Sequence, residues 1–204
     1  MTPSLKIIQM TYPRELELAW RQSCEMLNSS QACQYLKDIL CGKASRRRAG
    51  TRRFFGEAYV ATQVPHVEGY YGSFKWLTNL IFLGNKPFPS CPTQAFQLQY
   101  RSALHRHFRE NLERLQQNAS KFKLKAGIKP ATPDLWLLGA AGNHRFIEVK
   151  LPKDEVGLSQ IAGLSLIASS FSRPNLSVEI VELSPDRKRE FEGFVEAIDS
   201  SANH

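Results

Sequence analysis

Two short apolar runs and the turn between them set the tightest limit on this fold. Leu135-Trp136-Leu137-Leu138 and Phe146-Ile147-Glu148-Val149-Lys150-Leu151 read as strands, and Ala140-Ala141-Gly142-Asn143-His144 reads as the turn of an antiparallel hairpin. The chain before residue 130 has a different texture. Leu16, Trp20, Cys24 and Leu27 recur near helical spacing after Pro13, and Ser30 is placed to cap a second helix carrying Ala32, Leu36, Ile39 and Leu40, with Gly42 ending it. Residues 54–63 predict a short helix. Tyr70, Phe74, Leu77 and Ile81 predict another, ending at Gly84. Three prolines between 87 and 92 exclude helix interior there. Thr93 opens the longest helical pattern, with Phe96, Tyr100, Leu104, Phe108 and Leu115 on one face, ending near Asn118. After the hairpin, 155–171 is helical, 176–183 is a strand, and Ser184-Pro185 starts a last helix carrying Phe191, Phe194, Val195 and Ile198. Helices followed by β-β-α-β and a helix give an α/β fold, a small mixed sheet flanked by helices. The expected division is a helical N-terminal segment with a basic loop over 1–65 and a second unit over 66–204.

Charge narrows the partners. Lys plus Arg number 27 against 19 acids, a net +8, which favours polyanions. Residues 43–53 hold six cations and no acid, with Arg46, Arg47 and Arg48 in a row. A further eight lie between Arg101 and Lys129. In 121–125, Lys121, Lys123 and Lys125 alternate with Phe122 and Leu124, which suits an extended segment with one face toward phosphate. No apolar run is long enough for a membrane helix, and the N-terminus has no signal-peptide pattern. Cys24, Cys33, Cys41 and Cys91 form no CxxC pair, so the expectation is a cytoplasmic protein with reduced thiols.

The hairpin also concentrates the chemistry. Glu148 and Lys150 leave the same strand face, their α-carbons roughly 6.5–7 Å apart, and Asp134 at the start of the partner strand can reach the space above Glu148. Two carboxylates on one sheet face repel unless a cation lies between them, and Mg²⁺ or Mn²⁺ takes such oxygen ligands. A neighbouring lysine can orient a water and neutralise charge in a phosphoryl transition state. The plain alternative is a surface Glu–Lys pair and an unrelated turn Asp. His66, His105, His107 and His144 lack metal-site spacing. Trp20, Trp76 and Trp136 read as core.

Pro133-Asp134 followed by Glu148-Val149-Lys150 resembles the PD-(D/E)xK nuclease signature. The continuation through Pro152, Asp154 and Gln160 resembles its VRR-Nuc (virus-type replication-repair nuclease) branch. Upstream, Glu68-Gly69, Phe74, Leu77, Pro87-Phe88 and the helix with Arg101 and Arg114 are similar to the nuclease domain of Fanconi-associated nucleases, so the likeness spans roughly 66–183. Leu151, Gly157 and Ala131-Thr132 depart from the family pattern, but none is a ligand. The resemblance implies a restriction-endonuclease-like fold and a Mg²⁺- or Mn²⁺-dependent endonuclease acting on branched or flapped DNA in repair or replication. It implies metal ligands Asp134, Glu148, Val149 and Glu68, with Lys150 for the water and Gln160 in support. Glu68 would be the helix-borne first acid, with Glu57 in Gly56-Glu57 as the other choice. Arg46, Arg47, Arg48, Arg101, Lys121 and Lys123 are the expected DNA contacts. A homodimer, a toxin nuclease with an immunity partner, RNA as substrate and a catalytically idle DNA-binding module are the other contexts the sequence leaves open.

Overall fold

The structure, a computed structural model, describes residues 4–42, 53–72, 77, 94–171 and 174–201, apart from the side chains of 123–126, 194 and 196–201. In chain order the elements are β1 (Leu5–Tyr12), α1 (Arg14–Trp20), α2 (Glu25–Asn28), α3 (Gln34–Cys41), α4 (Phe55–Gln63), β2 (Glu68–Tyr71), α5 (Gln94–Phe108), α6 (Leu112–Ala126), β3 (Leu135–Leu138), β4 (His144–Lys150), α7 (Leu158–Ser170), β5 (Leu176–Pro185) and α8 (Arg187–Ser201). The five strands form one mixed sheet in the order β1-β5-β4-β3-β2. The hairpin is present, with Leu135 opposite Ile147 and Leu138 opposite His144. β5 lies parallel to β4 and β1 lies parallel to β5, while β2 closes the other edge antiparallel to β3.

Both faces of the sheet are covered, because the alternating strand positions feed two separate cores. Trp136, Phe146, Val178 and Ile180 pack against Tyr100, Phe108, Leu115, Leu164 and Ile167 of α5, α6 and α7. Leu135, Leu137, Ile147, Val149 and Val181 pack against Trp20, Leu27, Leu36, Leu40 and Val60 of α1 to α4. This is the mixed α/β sheet with flanking helices that the pattern predicts. Trp20 and Trp136 are core residues, and Cys24, Cys33 and Cys41 are free thiols. No helix among the described residues is long and apolar enough to cross a membrane.

Four expectations need correction. Residues 5–12 are a strand, not part of a helical segment, and through β5 they belong to the same sheet as the hairpin. A division at 65 therefore cuts through one packed unit. Tyr70 lies in β2 opposite Trp136, not at the start of a helix; Leu77 is helical and buried, while Phe74, Trp76 and Ile81 lie outside the described residues. The long helix expected from Thr93 breaks after Phe108 into a 3₁₀ turn at Arg109–Asn111. The segment 121–125 is helical, not extended. Leu112, Leu115 and Ala119 are buried and Phe122 packs on the same core. That helical stripe outweighs the local period-two pattern.

Two glycines set the close approaches that shape the site. A Cβ on Gly56 would lie 2.9 Å from Val149 Cγ1 and 3.3 Å from Leu183 Cδ1, so glycine lets α4 settle directly on β4 and β5. A Cβ on Gly163 would lie 1.9 Å from the Ala131 carbonyl oxygen, where the segment leading to Asp134 crosses α7. The Ala131 N–H also donates to the Ser159 carbonyl at 2.8 Å. Gly163→Ala therefore forces backbone apart, and we expect a loss of about 1–3 kcal/mol, measured by urea unfolding. An unchanged midpoint and slope would contradict the contact.

Candidate active site

An open cleft of about 600 Å³ lies where β4 ends, lined by Glu57, Asp134, Glu148, Lys150 and Gln160 among others. Each arrives from a different element. β4 is the central strand, and it carries Glu148 and Lys150 out on one face. Asp134 immediately precedes β3, and its Oδ2 accepts the Val149 N–H at 2.9 Å. Gln160 lies in the first turn of α7, and Glu57 lies in the first turn of α4.

These groups bind one another. The Lys150 ammonium donates to Glu148 Oε1 at 3.0 Å and to Gln160 Oε1 at 2.9 Å. Gln160 Nε2 donates to the same Glu148 oxygen, and the Gly157 N–H donates to Gln160 Oε1 at 2.8 Å. Gln160 thus caps its own helix while holding the Glu–Lys pair. Asp134, Glu148 and Lys150 are 7%, 2% and 7% exposed, so the Coulomb terms act with little screening by water. Asp154 Oδ2 accepts the Leu151 N–H at 3.1 Å, shaping the loop at the rim.

Burial, then the charges of Asp134 and Glu148, push the Glu57 carboxyl up to about 8. Burial and Asp134 do the same to Glu148, against the pull of Lys150, to about 8. Asp134 and Glu148 are close enough to hydrogen-bond, which adds to the rise. A proton or a cation relieves that repulsion, so the donor set fits a hard divalent ion. Among the described residues no three His, Cys, Asp or Glu side chains enclose an ion by themselves. Mg²⁺ does not require such a cage, since it keeps several waters and takes one or two carboxylates plus substrate phosphate. Asp134, Glu148 and Glu57 are the side chains that would hold it, and the Val149 N–H fixes Asp134 in place.

The cleft brings together five of the residues named from sequence: Asp134, Glu148, Val149, Lys150 and Gln160. Glu68 is not among them. It stands in β2, not on a helix, beside a different depression, bonded to Arg106 Nη2 at 2.5 Å and to the Tyr70 hydroxyl at 2.7 Å. Burial pushes its carboxyl up, but the Tyr70 hydroxyl and the Arg106 guanidinium hold it below the ordinary value. The helix-borne acid facing Asp134 and Glu148 is Glu57. His66, His107 and His144 are hydrogen-bonded side chains outside the cleft.

Of the expected DNA contacts, Arg101 and Lys121 have described side chains. Arg46, Arg47 and Arg48 lie outside the described residues, as does the Lys123 side chain. Lys121 lines a polar depression with Glu110, Glu113 and Arg114, and Arg101 is a half-buried residue of α5 outside the acid cleft. Of the basic stretch 43–53, the described residue is Arg53, and it lines the cleft together with Arg21 and Trp20. No local pattern marks Arg21 or Trp20, because their place depends on how α1 docks. Compared with known proteins, the chain matches no family model and no curated protein sequence.

The raised carboxyls have a signed consequence. A folded value near 8 against the ordinary 4.5 means that Glu57 contributes its full stability below about pH 4.5 and loses it as pH rises through 8. Without divalent ions, Glu57→Gln, which keeps the neutral shape, should match wild type near pH 4.5 and exceed it in Tm at pH 8. Calorimetry showing the same difference at both pH values would remove Glu57 from the charge cluster.

Proposed function

We propose that this chain is a Mg²⁺- or Mn²⁺-dependent endonuclease that hydrolyses phosphodiester bonds, with branched or flapped DNA as substrate and the cytoplasm as its place of work. The observation that carries the reading is the convergence of Glu57, Asp134 and Glu148 with Lys150 and Gln160 in one cleft at the end of the central strand. Three carboxyls held beside one another repel, and replacing them by apolar groups would relieve that repulsion. A site kept in this form is a working one, which favours an enzyme over an idle binding module. The mixed sheet with its Glu-x-Lys strand in the middle supports a restriction-endonuclease-like fold, and the run from Pro133 to Gln160 supports the VRR-Nuc resemblance.

A bound divalent ion supplies Lewis acidity toward a phosphoryl oxygen. Asp134 and Glu148 would hold that ion from the sheet side, and Glu57 would hold it from α4. Lys150, fixed between Glu148 and Gln160, orients the attacking water and offsets the negative charge that develops at phosphorus. Gln160 holds Lys150 and Glu148 in register through both ends of its amide. Water adds across a P–O bond, leaving a phosphate monoester on one fragment and a hydroxyl on the other.

The test is cleavage of labelled single strand, duplex, flap and four-way junction with Mg²⁺ or Mn²⁺, against chelator. Asp134→Asn, Glu148→Gln, Lys150→Ala and Glu57→Gln should each lose about 10²-fold or more in rate. Glu68→Gln should stay close to wild type. A folded Asp134→Asn protein that cuts at the wild-type rate would overturn the assignment, and loss of activity in Glu68→Gln alone would return the first acid to Glu68.

A further inference from the structure

We propose that Phe54, in the wall of the acid cleft, packs against the base of an unpaired nucleotide flanking the phosphate being cleaved. This rests on the nuclease reading and names the substrate feature the site selects, a strand that is unpaired at the cut. Three aromatic side chains line the cleft: Trp20, Phe54 and Phe55. Trp20 and Phe55 are 1% and 5% exposed, whereas Phe54 is half-buried. Phe54 therefore carries most of the aromatic surface that the cleft offers to a ligand. On its inner side it packs on the core beneath α4, with the Tyr71 ring 5.2 Å away and inclined at 51° rather than face to face.

The backbone at Phe54 is left-handed, with φ +67° and ψ +34°, a conformation that bulky side chains rarely take. It stands at the N-cap of α4 and makes no side-chain cap bond there. Its carbonyl accepts the Ala58 N–H at 3.0 Å, a backbone duty that glycine or asparagine would perform with less strain. The start of the helix does not call for phenylalanine. Strain of this kind persists where the surroundings enforce it, and it clusters at binding sites. Here it sets the ring three residues, about one helical turn, before Glu57, the acid that α4 contributes. A nucleotide whose phosphate lies at the acids has a flanking base at the ring.

Only certain bases can make that contact. In a duplex each base is enclosed by its neighbours in the stack, and an unpaired base offers its flat surface to a protein aromatic ring. Every base has such a surface, so the contact reads strand structure and tolerates any sequence.

The test first maps the cut from wild-type products. Anisotropy of labelled flap DNA is then measured on the Asp134→Asn background, with an abasic residue placed in turn at each nucleotide flanking the cut. At one of these positions, loss of the base should weaken binding about fivefold or more. Phe54→Leu, which keeps an apolar side chain without the ring, should cost about as much on intact DNA and lose nothing further on the abasic DNA. Phe54→Tyr should keep both the affinity and the response to base removal. The slope of log affinity against log salt should stay at the wild-type value in Phe54→Leu, because no phosphate contact is removed. If the wild-type chain cuts DNA but an abasic residue at every flanking position leaves affinity unchanged, this proposal is wrong and the nuclease reading stands. Losses from Phe54→Leu and from base removal that multiply would make Phe54 a packing residue and also overturn it. If the wild-type chain neither binds nor cuts DNA, the nuclease reading fails and takes this inference with it.

Discussion

Mutual repulsion among Glu57, Asp134 and Glu148 is the interaction around which the rest of the structure is arranged. Carboxylates brought this close from three elements push against one another, and burial removes the water that would screen them. Folding must therefore hold them by force from outside the cleft. Two packed cores, one on each sheet face, do this, together with the bonds from the Val149 N–H to Asp134 and from Lys150 and Gln160 to Glu148. Burial and that repulsion raise the Glu57 and Glu148 carboxyls to about 8.

The position of the cleft follows from the layers. β4 is central, so its end is flanked by α4 on one face and α7 on the other. Gly56 allows α4 to touch β4 through Val149, and Gly163 allows α7 to touch the segment that presents Asp134. Each close contact brings one polar side chain to the strand end: Glu57 from α4 and Gln160 from α7. The edge strands stand away from the chemistry. β1 exposes Leu5 and Ile7, and β2 carries Glu68 into its own ion pair with Arg106.

The hairpin, α4, α7 and β5 were legible because their signals are local. A strand buried on both faces is a short apolar run, and its turn carries Gly142 at φ +75°. β1 was not legible. Its Lys6 and Gln9 interrupt the apolar pattern, and it is a strand because β5 offers a parallel edge along all of Leu5–Tyr12. The 121–125 segment misled for the opposite reason. Its period-two alternation is real, but Leu112, Leu115, Ala119 and Phe122 find a core only when the chain is helical.

For the site, the amino-acid sequence alone brought Asp134, Glu148 and Lys150 together, since a hairpin places residues of fixed spacing at one strand end, while Gln160 entered through the VRR-Nuc resemblance. Local geometry can do this because the pleat alternates side chains with period two and a helix begins where its cap stands. Tertiary structure decided which glutamate completes the set. Glu57 and Glu68 each adjoin a glycine, and nothing within a few residues separates them. Packing of α4 on β4 draws Glu57 inward, while pairing of β2 with β3 carries Glu68 to the far edge beside Arg106. The same docking, with Trp20 bonded to the Arg53 carbonyl, brought Arg53 to the cleft. Contacts between residues distant along the chain depend on how whole elements pack, and periodicity and spacing report only on neighbours.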